Sequence, residues 1–217
     1  MEISAHGGNC LTIKVNKTKF VIDPAKDGMG IKNPKLKDTV VILTNDFETV
    51  SVDELVSAEV DFTITTPGEY EIHDVNIVGV STPATLDIHD DADENTVYNT
   101  AYSLRADSVA VGILGHPAQK LSEKVYETLG TIDVLICPIG GGGLTLDPIA
   151  ASKIVKEIDP SVVVPVHYKQ SGVSYESPQA ELDDFVSELG VPVREEDKLK
   201  VKQSDFGETL EIIKLKI

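Results

Sequence analysis

Short runs of branched aliphatic residues, separated by polar turns, constrain the fold of this chain more than any other feature. From residue 2 to about residue 114 they predict mainly antiparallel β structure, beginning with a hairpin of residues 11–15 and 20–22. Trp is absent and aromatic residues make up only 5% of the 217 residues, so the core must consist largely of Val, Ile and Leu, which fill buried sheets. Further strands are expected at 39–44, 60–65, 70–72, 75–80, 96–104 and 108–114, with one helical turn at 52–56.

Helices and strands alternate in the last third of the chain. We expect helices at 122–129, 148–158 and 178–189 and strands at 133–139 and 162–166. Pro148 and Pro178 can each open a helix without losing a needed N–H, and Asp147 and Ser177 before them are good N-cap residues. The tail predicts a terminal hairpin of 199–201 and 209–215. Since no Pro/Gly/Ser-rich linker is present, residues 1–217 are expected to form a single domain.

The charge balance limits the classes of partner. Nineteen Lys and Arg against 36 Asp and Glu give a net charge of −17, which makes nucleic acid an unlikely partner because such binding rests on basic residues. No apolar run is long enough to span a membrane, and polar residues near the N-terminus do not match a signal peptide, so a cytoplasmic location is expected. Cys10 and Cys137 lie in apolar stretches typical of buried free thiols.

Two histidines follow predicted strands and are candidates for a shared site. His167 ends the strand at 162–166, and His116 follows the strand at 108–114. Side chains at strand ends can converge in loops that carry function, although hydrogen-bonded structural histidines remain an equal alternative. His89 lies in the acidic stretch 87–94, which could bind a divalent cation but is more typical of a solvated loop.

Four consecutive glycines, Gly140-Gly141-Gly142-Gly143, stand between a buried strand and a helix. Bare glycine N–H groups and a helix N-terminus attract anions, so this loop could face a ligand. It satisfies no nucleotide-binding motif and contains no Lys. The other interpretation is a backbone turn that requires positive φ angles.

Several segments together resemble the metallo-β-lactamase fold, and within it the branch of small metal-dependent hydrolases related to L-ascorbate-6-phosphate lactonase. The resemblance implies an α/β (α+β) fold of four layers, an αβ/βα sandwich, with its site at the edge where the loops of the two sheets meet. The matching segments are Gly8-Asn9-Cys10, Phe20 to Pro24, Val40 to Thr44, Pro67 to Ile72, Asn95 to Tyr98, Leu114 to Pro117, Asp133 to Gly143 and Val164 to Tyr168.

The chemistry of that family depends on two zinc ions, held by an H-x-H-x-D-H loop, a further His, a bridging Asp and a last His, which supply hydroxide for hydrolysis. Only His167, at the last position, is retained. We therefore expect no dinuclear site and no cofactor; the alternative is a single Zn or Mn ion at His167, with Asp46 and Glu48 as further ligands. The substituted positions are Asn45, Phe47, Thr49 and Val50 in the loop, Ile113 for the bridging Asp, and Asn9 in the Gly-His pair near the N-terminus.

Three functions are compatible with this pattern. The first is a noncatalytic homologue that binds a small molecule or a protein partner in the old cleft. The second is a divergent phosphoesterase or lactonase with a mononuclear or metal-free site. The third is an interaction module whose exposed strands pair with another chain, including a homo-oligomer. The candidate ligand-binding residues are Asn9, Asn45, Gly140, Gly141, Gly142 and Tyr168, and the candidate catalytic residues are His167, His116, Asp23 and Asp46.

Overall fold

The computed structural model describes residues 1–84, 98–207 and 209–217, which contain two sheets and four α-helices. The helices are α1 (Val52–Ser57), α2 (Glu123–Leu129), α3 (Pro148–Ile158) and α4 (Leu182–Leu189). The strands are β1 (Glu2–Gly7), β2 (Cys10–Val15), β3 (Thr18–Ile22), β4 (Val40–Ile42), β5 (Phe62–Ile64), β6 (Gly68–Ile72), β7 (Val75–Pro83), β8 (Tyr98–Ala106), β9 (Val109–Ile113), β10 (Val134–Pro138), β11 (Val162–Val166), β12 (Val193–Glu196), β13 (Leu199–Lys200) and β14 (Glu211–Leu215).

The two sheets pack face to face. The first has the order β13-β1-β2-β3-β4-β5, and the second has the order β12-β14-β11-β10-β9-β8-β7-β6. The inner faces are built from alternate strand residues, such as Ile13 and Phe20 of the first sheet and Ile77 and Leu104 of the second. The predicted hairpin is confirmed, with Leu11 opposite Ile22.

Helices cover the outer face of each sheet, which completes four layers. Leu55 of α1 packs with Val21 and Val41 on the first sheet. The second sheet is covered by α2, α3 and α4, whose Val125, Ile154 and Phe185 belong to one buried cluster with its strands. The four-layer sandwich expected from the sequence is confirmed. Among the described residues, no helix is long and apolar enough to cross a membrane.

The helix predicted at 178–189 begins later, at Leu182 with Glu181 as its N-cap, so Ser177 and Pro178 do not open it. The backbone before it bonds elsewhere: Ala180 N donates to the Gly140 carbonyl and Ala180 O accepts from Lys169 N. These bonds hold the segment against the loop edge of the second sheet, where it cannot form helical hydrogen bonds.

The terminal hairpin predicted for the tail is wrong. β13 pairs with β1 in the first sheet, with Leu199 opposite Ile3, whereas β14 pairs with β11 and β12 in the second. The two segments separate because each adds a buried aliphatic residue to a different sheet. Two strands were also missed, β1 and β12, since both have mixed polar sequences.

Cys10 and Cys137 are free and buried, as the sequence predicts, and burial raises the pKa of the Cys10 thiol to about 12. The acidic stretch 87–94 with His89 lies outside the described residues, so the hypothesis of a cation at His89 stays a prediction.

Candidate functional site

Loops at one edge of the sandwich bring together two histidines and a glutamate. His116 follows β9, His167 follows β11, and Glu48 lies in the loop after β4. The Nε2 atoms of His116 and His167 lie 3.1 Å and 2.6 Å from the same oxygen, Glu48 Oε2. The exposed fractions of the three residues are 1%, 0% and 5%. We call these three residues the buried cluster; it joins a loop of the first sheet to strand ends of the second.

The Asn45 amide indicates the proton position on His116. Asn45 Nδ2 lies 2.6 Å from His116 Nδ1, whereas Asn9 Nδ2 lies 3.0 Å from Nδ1 and 3.4 Å from Nε2 and does not distinguish the two nitrogens. The orientation of the Asn45 amide is set at its other end, because its Oδ1 accepts a hydrogen bond from Phe47 N. An Nδ1 that accepts N–H hydrogen bonds carries no proton, so neutral His116 has its proton on Nε2 and donates it to Glu48.

His167 faces a hydrogen-bond acceptor at each ring nitrogen. Its Nδ1 lies 3.1 Å from Gln179 Oε1, and its Nε2 faces the Glu48 carboxylate. Gln179 is oriented by its own amide nitrogen, which donates to the Ser177 carbonyl at 3.0 Å. Both nitrogens of His167 thus face oxygen atoms, and its Nε2 lies within ion-pair distance of Glu48 Oε2.

The electrostatics of the buried cluster follow from this arrangement. Burial alone would raise the pKa of Glu48, but hydrogen bonds from His116 and His167 hold it below its usual value of 4.5. Burial lowers the pKa of His116 to about 4, although Glu48 acts in the opposite direction. At neutral pH Glu48 is therefore a carboxylate and His116 is a neutral imidazole.

A chain of hydrogen bonds extends from His116 to Asp23. Asn45 Nδ2 also donates to Thr44 Oγ1 at 2.9 Å, and Thr44 donates to Asp23 through its hydroxyl at 2.6 Å and its N–H at 2.7 Å. Burial raises the pKa of Asp23 to about 7, partly offset by these two bonds. Asp23 thus orients Asn45, which in turn orients His116.

A segment of the loop between β11 and α4 covers the buried cluster. The Tyr175 ring lies 4.6 Å from the His167 ring, centroid to centroid, and Phe47 lies 4.5 Å from His116 on the other side. An ion pair holds this covering segment in place: Lys26 Nζ lies 2.7 Å from Glu176 Oε1. The same aromatic side chains that pack on the histidines thus separate them from solvent.

The glycine loop packs tightly against this cover. A Cβ at Gly140 would lie 2.3 Å from both Gln179 Oε1 and the His167 carbonyl oxygen, and one at Gly142 would lie 2.5 Å from Ser177 Oγ. Ser177 Oγ also donates to the Gly142 carbonyl at 2.6 Å. The loop needs glycines at these positions because another segment of the chain fills the space in front of it.

A family model for the beta-lactamase superfamily domain matches residues 2–167 of the chain. The chain belongs to this family. No curated protein matches it. Many solved structures share its fold, among them the following three. A proposed Zn-dependent hydrolase of the metallo-beta-lactamase superfamily from Thermotoga maritima is 22% identical, with a TM-score of 0.76 and 99% of each chain covered.

A proposed metal-dependent hydrolase from Parabacteroides distasonis is 14% identical, with a TM-score of 0.67, covering 99% of this chain and 93% of that one. Igni18, a metallo hydrolase from Ignicoccus hospitalis, is 19% identical, with a TM-score of 0.60, covering 87% of this chain and 90% of that one. These likenesses support the fold of a beta-lactamase superfamily member; the narrower relation to ascorbate-6-phosphate lactonase stays a prediction.

In this beta-lactamase superfamily member, the buried cluster contains three residues of metal-binding type. One ligand atom from each lies within 4.8 Å of the others, and two His with one Glu is a known zinc donor set. Two buried acceptors, Asn9 Oδ1 and Glu48 Oε1, have no hydrogen-bond partner among the described residues. Residue types and spacing therefore suit a single metal ion.

The hydrogen bonds at His116 do not suit a metal ion. A histidine bound to metal offers one nitrogen lone pair and usually donates the other N–H to an oxygen. His167 can meet this requirement through Gln179 Oε1. His116 does not, because the amide N–H of Asn45 points at its Nδ1 and leaves the proton on Nε2, toward the cluster. The residue types and spacing thus suit a metal ion, whereas the hydrogen bond at His116 Nδ1 does not.

The structure places the other predicted site residues as follows. Asp23 lies behind the buried cluster, while Asp46 is exposed and is not part of it. Tyr168 packs into the helix-covered core of the second sheet. Glu48 is absent from the catalytic set predicted above and appears there only as a ligand of the alternative single metal ion. The sequence feature that points to Glu48 is its position in the loop where the family carries metal ligands.

Proposed function

We propose that this protein is a noncatalytic member of the beta-lactamase superfamily, in which the ion pair of Glu48 and His167 takes the structural place of a metal centre. One observation carries the proposal: the Asn45 amide nitrogen lies 2.6 Å from His116 Nδ1, with its orientation fixed by Phe47 N. Since this bond keeps the Nε2 proton on His116, that nitrogen has no lone pair for a metal ion.

Burial supports the same conclusion. A catalytic metal site keeps an open coordination position for water and substrate. Here Glu48, His116 and His167 are at most 5% exposed, and Tyr175 and Phe47 pack against the two histidines. A substrate would have to displace the covering segment before it reached any of these groups.

The buried cluster then has a structural role. The Glu48 carboxylate links a loop of the first sheet to two strand ends of the second through His116 and His167. Truncation of one partner of a buried ion pair leaves the other charge uncompensated. The amide groups of Asn9 and Asn45 are turned inward to His116. We therefore place the binding function on the outer surface of the protein rather than in the former cleft.

A divergent hydrolase with one metal ion is the second candidate. The spacing of the three ligand atoms favours it, as do Asn9 Oδ1 and Glu48 Oε1, two acceptors with no hydrogen-bond partner in the part of the chain that the structure describes. This function requires rotation of the Asn45 amide, so that the lone pair of His116 Nε2 becomes available to the metal.

Metal content and turnover distinguish the two candidates. The untagged protein is incubated with Zn²⁺ or Mn²⁺, desalted, analysed by plasma mass spectrometry, and assayed on a panel of phosphoesters and lactones. His167→Ala is compared with His73→Ala, which removes an exposed histidine. We expect substoichiometric metal and background rates in all three proteins. One ion per chain, lost only in His167→Ala and accompanied by turnover, would establish the hydrolase instead.

A further inference from the structure

Acidic residues are concentrated in one continuous part of the chain. Between residues 38 and 104 there is no Lys or Arg, whereas 15 Asp and Glu fall in the same range. In the fold this range supplies β4 to β8 and α1. It therefore includes β5, the edge strand of the first sheet, and β6, the edge strand of the second.

β5 differs from the other edge strands in its side chains. Edge strands present unpaired backbone groups, and proteins commonly protect them with charged residues. β5, with the sequence Phe-Thr-Ile, has none. The charged residues on the other three edges are Glu69 and Glu71 of β6, Arg194, Glu195 and Glu196 of β12, and Lys200 of β13.

Apolar side chains are exposed on β5 and on α1, the helix that connects β4 to β5. Phe62 is in register with Val40 of the inner face and is 48% exposed. On the outer face, where α1 packs, Val52 and Val56 are 52% and 73% exposed. We call Val52, Val56 and β5 together the β5 edge. Exposed apolar residues beside an unprotected strand are characteristic of a site that pairs with another chain.

We infer that the β5 edge binds an extended, basic segment of a partner protein as an additional strand. Backbone hydrogen bonds to β5 would supply affinity, and apolar residues of the segment would contact Phe62 and Val56. Lys or Arg residues would pair with the exposed carboxylates of Asp53 and Asp61, which flank the edge in sequence. This inference is independent of the buried cluster.

Electrostatic repulsion disfavours a second copy of this chain as the partner bound at the β5 edge. Pairing of two β5 edges would join two surfaces that each carry the exposed carboxylates of Asp53 and Asp61. Each chain also carries a net charge of −17. A basic segment would instead be attracted to this acidic surface.

A short synthetic peptide of alternating lysine and valine tests the inference, with a glutamate-valine peptide as the control. Binding is measured by calorimetry and located by hydrogen-exchange mass spectrometry. We expect the lysine peptide alone to bind and to protect the amides of 62–64. Val56→Lys, alone and combined with Phe62→Lys, should weaken binding about tenfold or more. Val193→Lys is the matched control on the charged edge strand β12 and should leave binding unchanged.

Three results would overturn the inference: no binding of the lysine peptide, protection only outside 62–64, or equal weakening by Val193→Lys and Val56→Lys. Light scattering could give a fourth result that overturns it. A dimer whose formation is abolished by Val56→Lys would show that a second copy occupies the β5 edge.

Discussion

Glu48→Gln should destabilise the protein far more than its single-atom change suggests. Glu48 Oε2 accepts two hydrogen bonds, at 3.1 Å from His116 and 2.6 Å from His167. Bonds to a buried charged group contribute about 1.5–3 kcal/mol each. A glutamine can accept from one histidine, but it leaves the imidazolium of His167 without its counter-charge. We expect a loss of about 3 kcal/mol, within the range for a broken buried ion pair.

The loss is measured by urea unfolding at pH 7 and by calorimetry, where it corresponds to a fall in Tm of about 6–12 °C for a chain of this size. Glu176→Gln removes an exposed carboxylate paired with Lys26 and should cost at most about 1 kcal/mol. The pKa of Glu48 is depressed in the folded state, so its contribution is complete above its usual value of 4.5 and is lost as pH falls further. Equal stability of wild type and Glu48→Gln at pH 7 would refute the ion pair.

Three other predictions follow from the same contacts. Asn45→Asp places an acceptor at His116 Nδ1, so the pKa of His116 should rise well above its value of about 4, as NMR titration of the ring protons would show; an unchanged pKa would exclude Asn45 as the orienting group. Gly140→Ala should cost about 1–3 kcal/mol in urea unfolding, because its Cβ would overlap Gln179 and the His167 carbonyl. Gly207→Ala, whose Cβ would meet Thr209 N at an ordinary 4.0 Å, should cost little, and equal costs would contradict the tight packing. Because burial raises the pKa of Asp23 from 3.8 to about 7, the folded protein binds this proton more tightly than the unfolded chain. The unfolding free energy of wild type relative to Asp23→Asn should therefore fall as pH rises from about 4 to 7, and a pH-independent difference would contradict the shift.

Alternation of aliphatic residues was sufficient to predict most strands and helices of the fold. α3 and β11 begin and end at the predicted residues, since each has a strong local signal: a proline opens α3, and four of the five residues of β11 are valine. The start of α4 was not predictable in this way. Pro178 has the local chemistry of a helix start, but hydrogen bonds to Gly140 and Lys169 hold the following backbone outside the helix. Such bonds depend on segments far apart in sequence.

The candidate site was only partly predictable for the same reason. Strand ends indicated His116 and His167, and the resemblance showed which metal ligands were substituted. The sequence could not show that Asn45 donates to His116 Nδ1, because that depends on the direction in which the amide points. Nor could it show that Glu48, rather than its neighbour Asp46, turns inward: both are acidic residues in one loop, and only the backbone path separates the buried side chain from the exposed one.

The protonation of the two buried histidines tests the central claim most directly. A long-range ¹H–¹⁵N NMR spectrum of the imidazole rings at pH 7 reports which nitrogens carry protons. We predict one proton on His116, at Nε2, two on His167, and no change when Zn²⁺ is added. A proton on Nδ1 of His116 together with an unprotonated Nε2 on His167, and shifts of both rings with Zn²⁺, would contradict the account and identify a metal site.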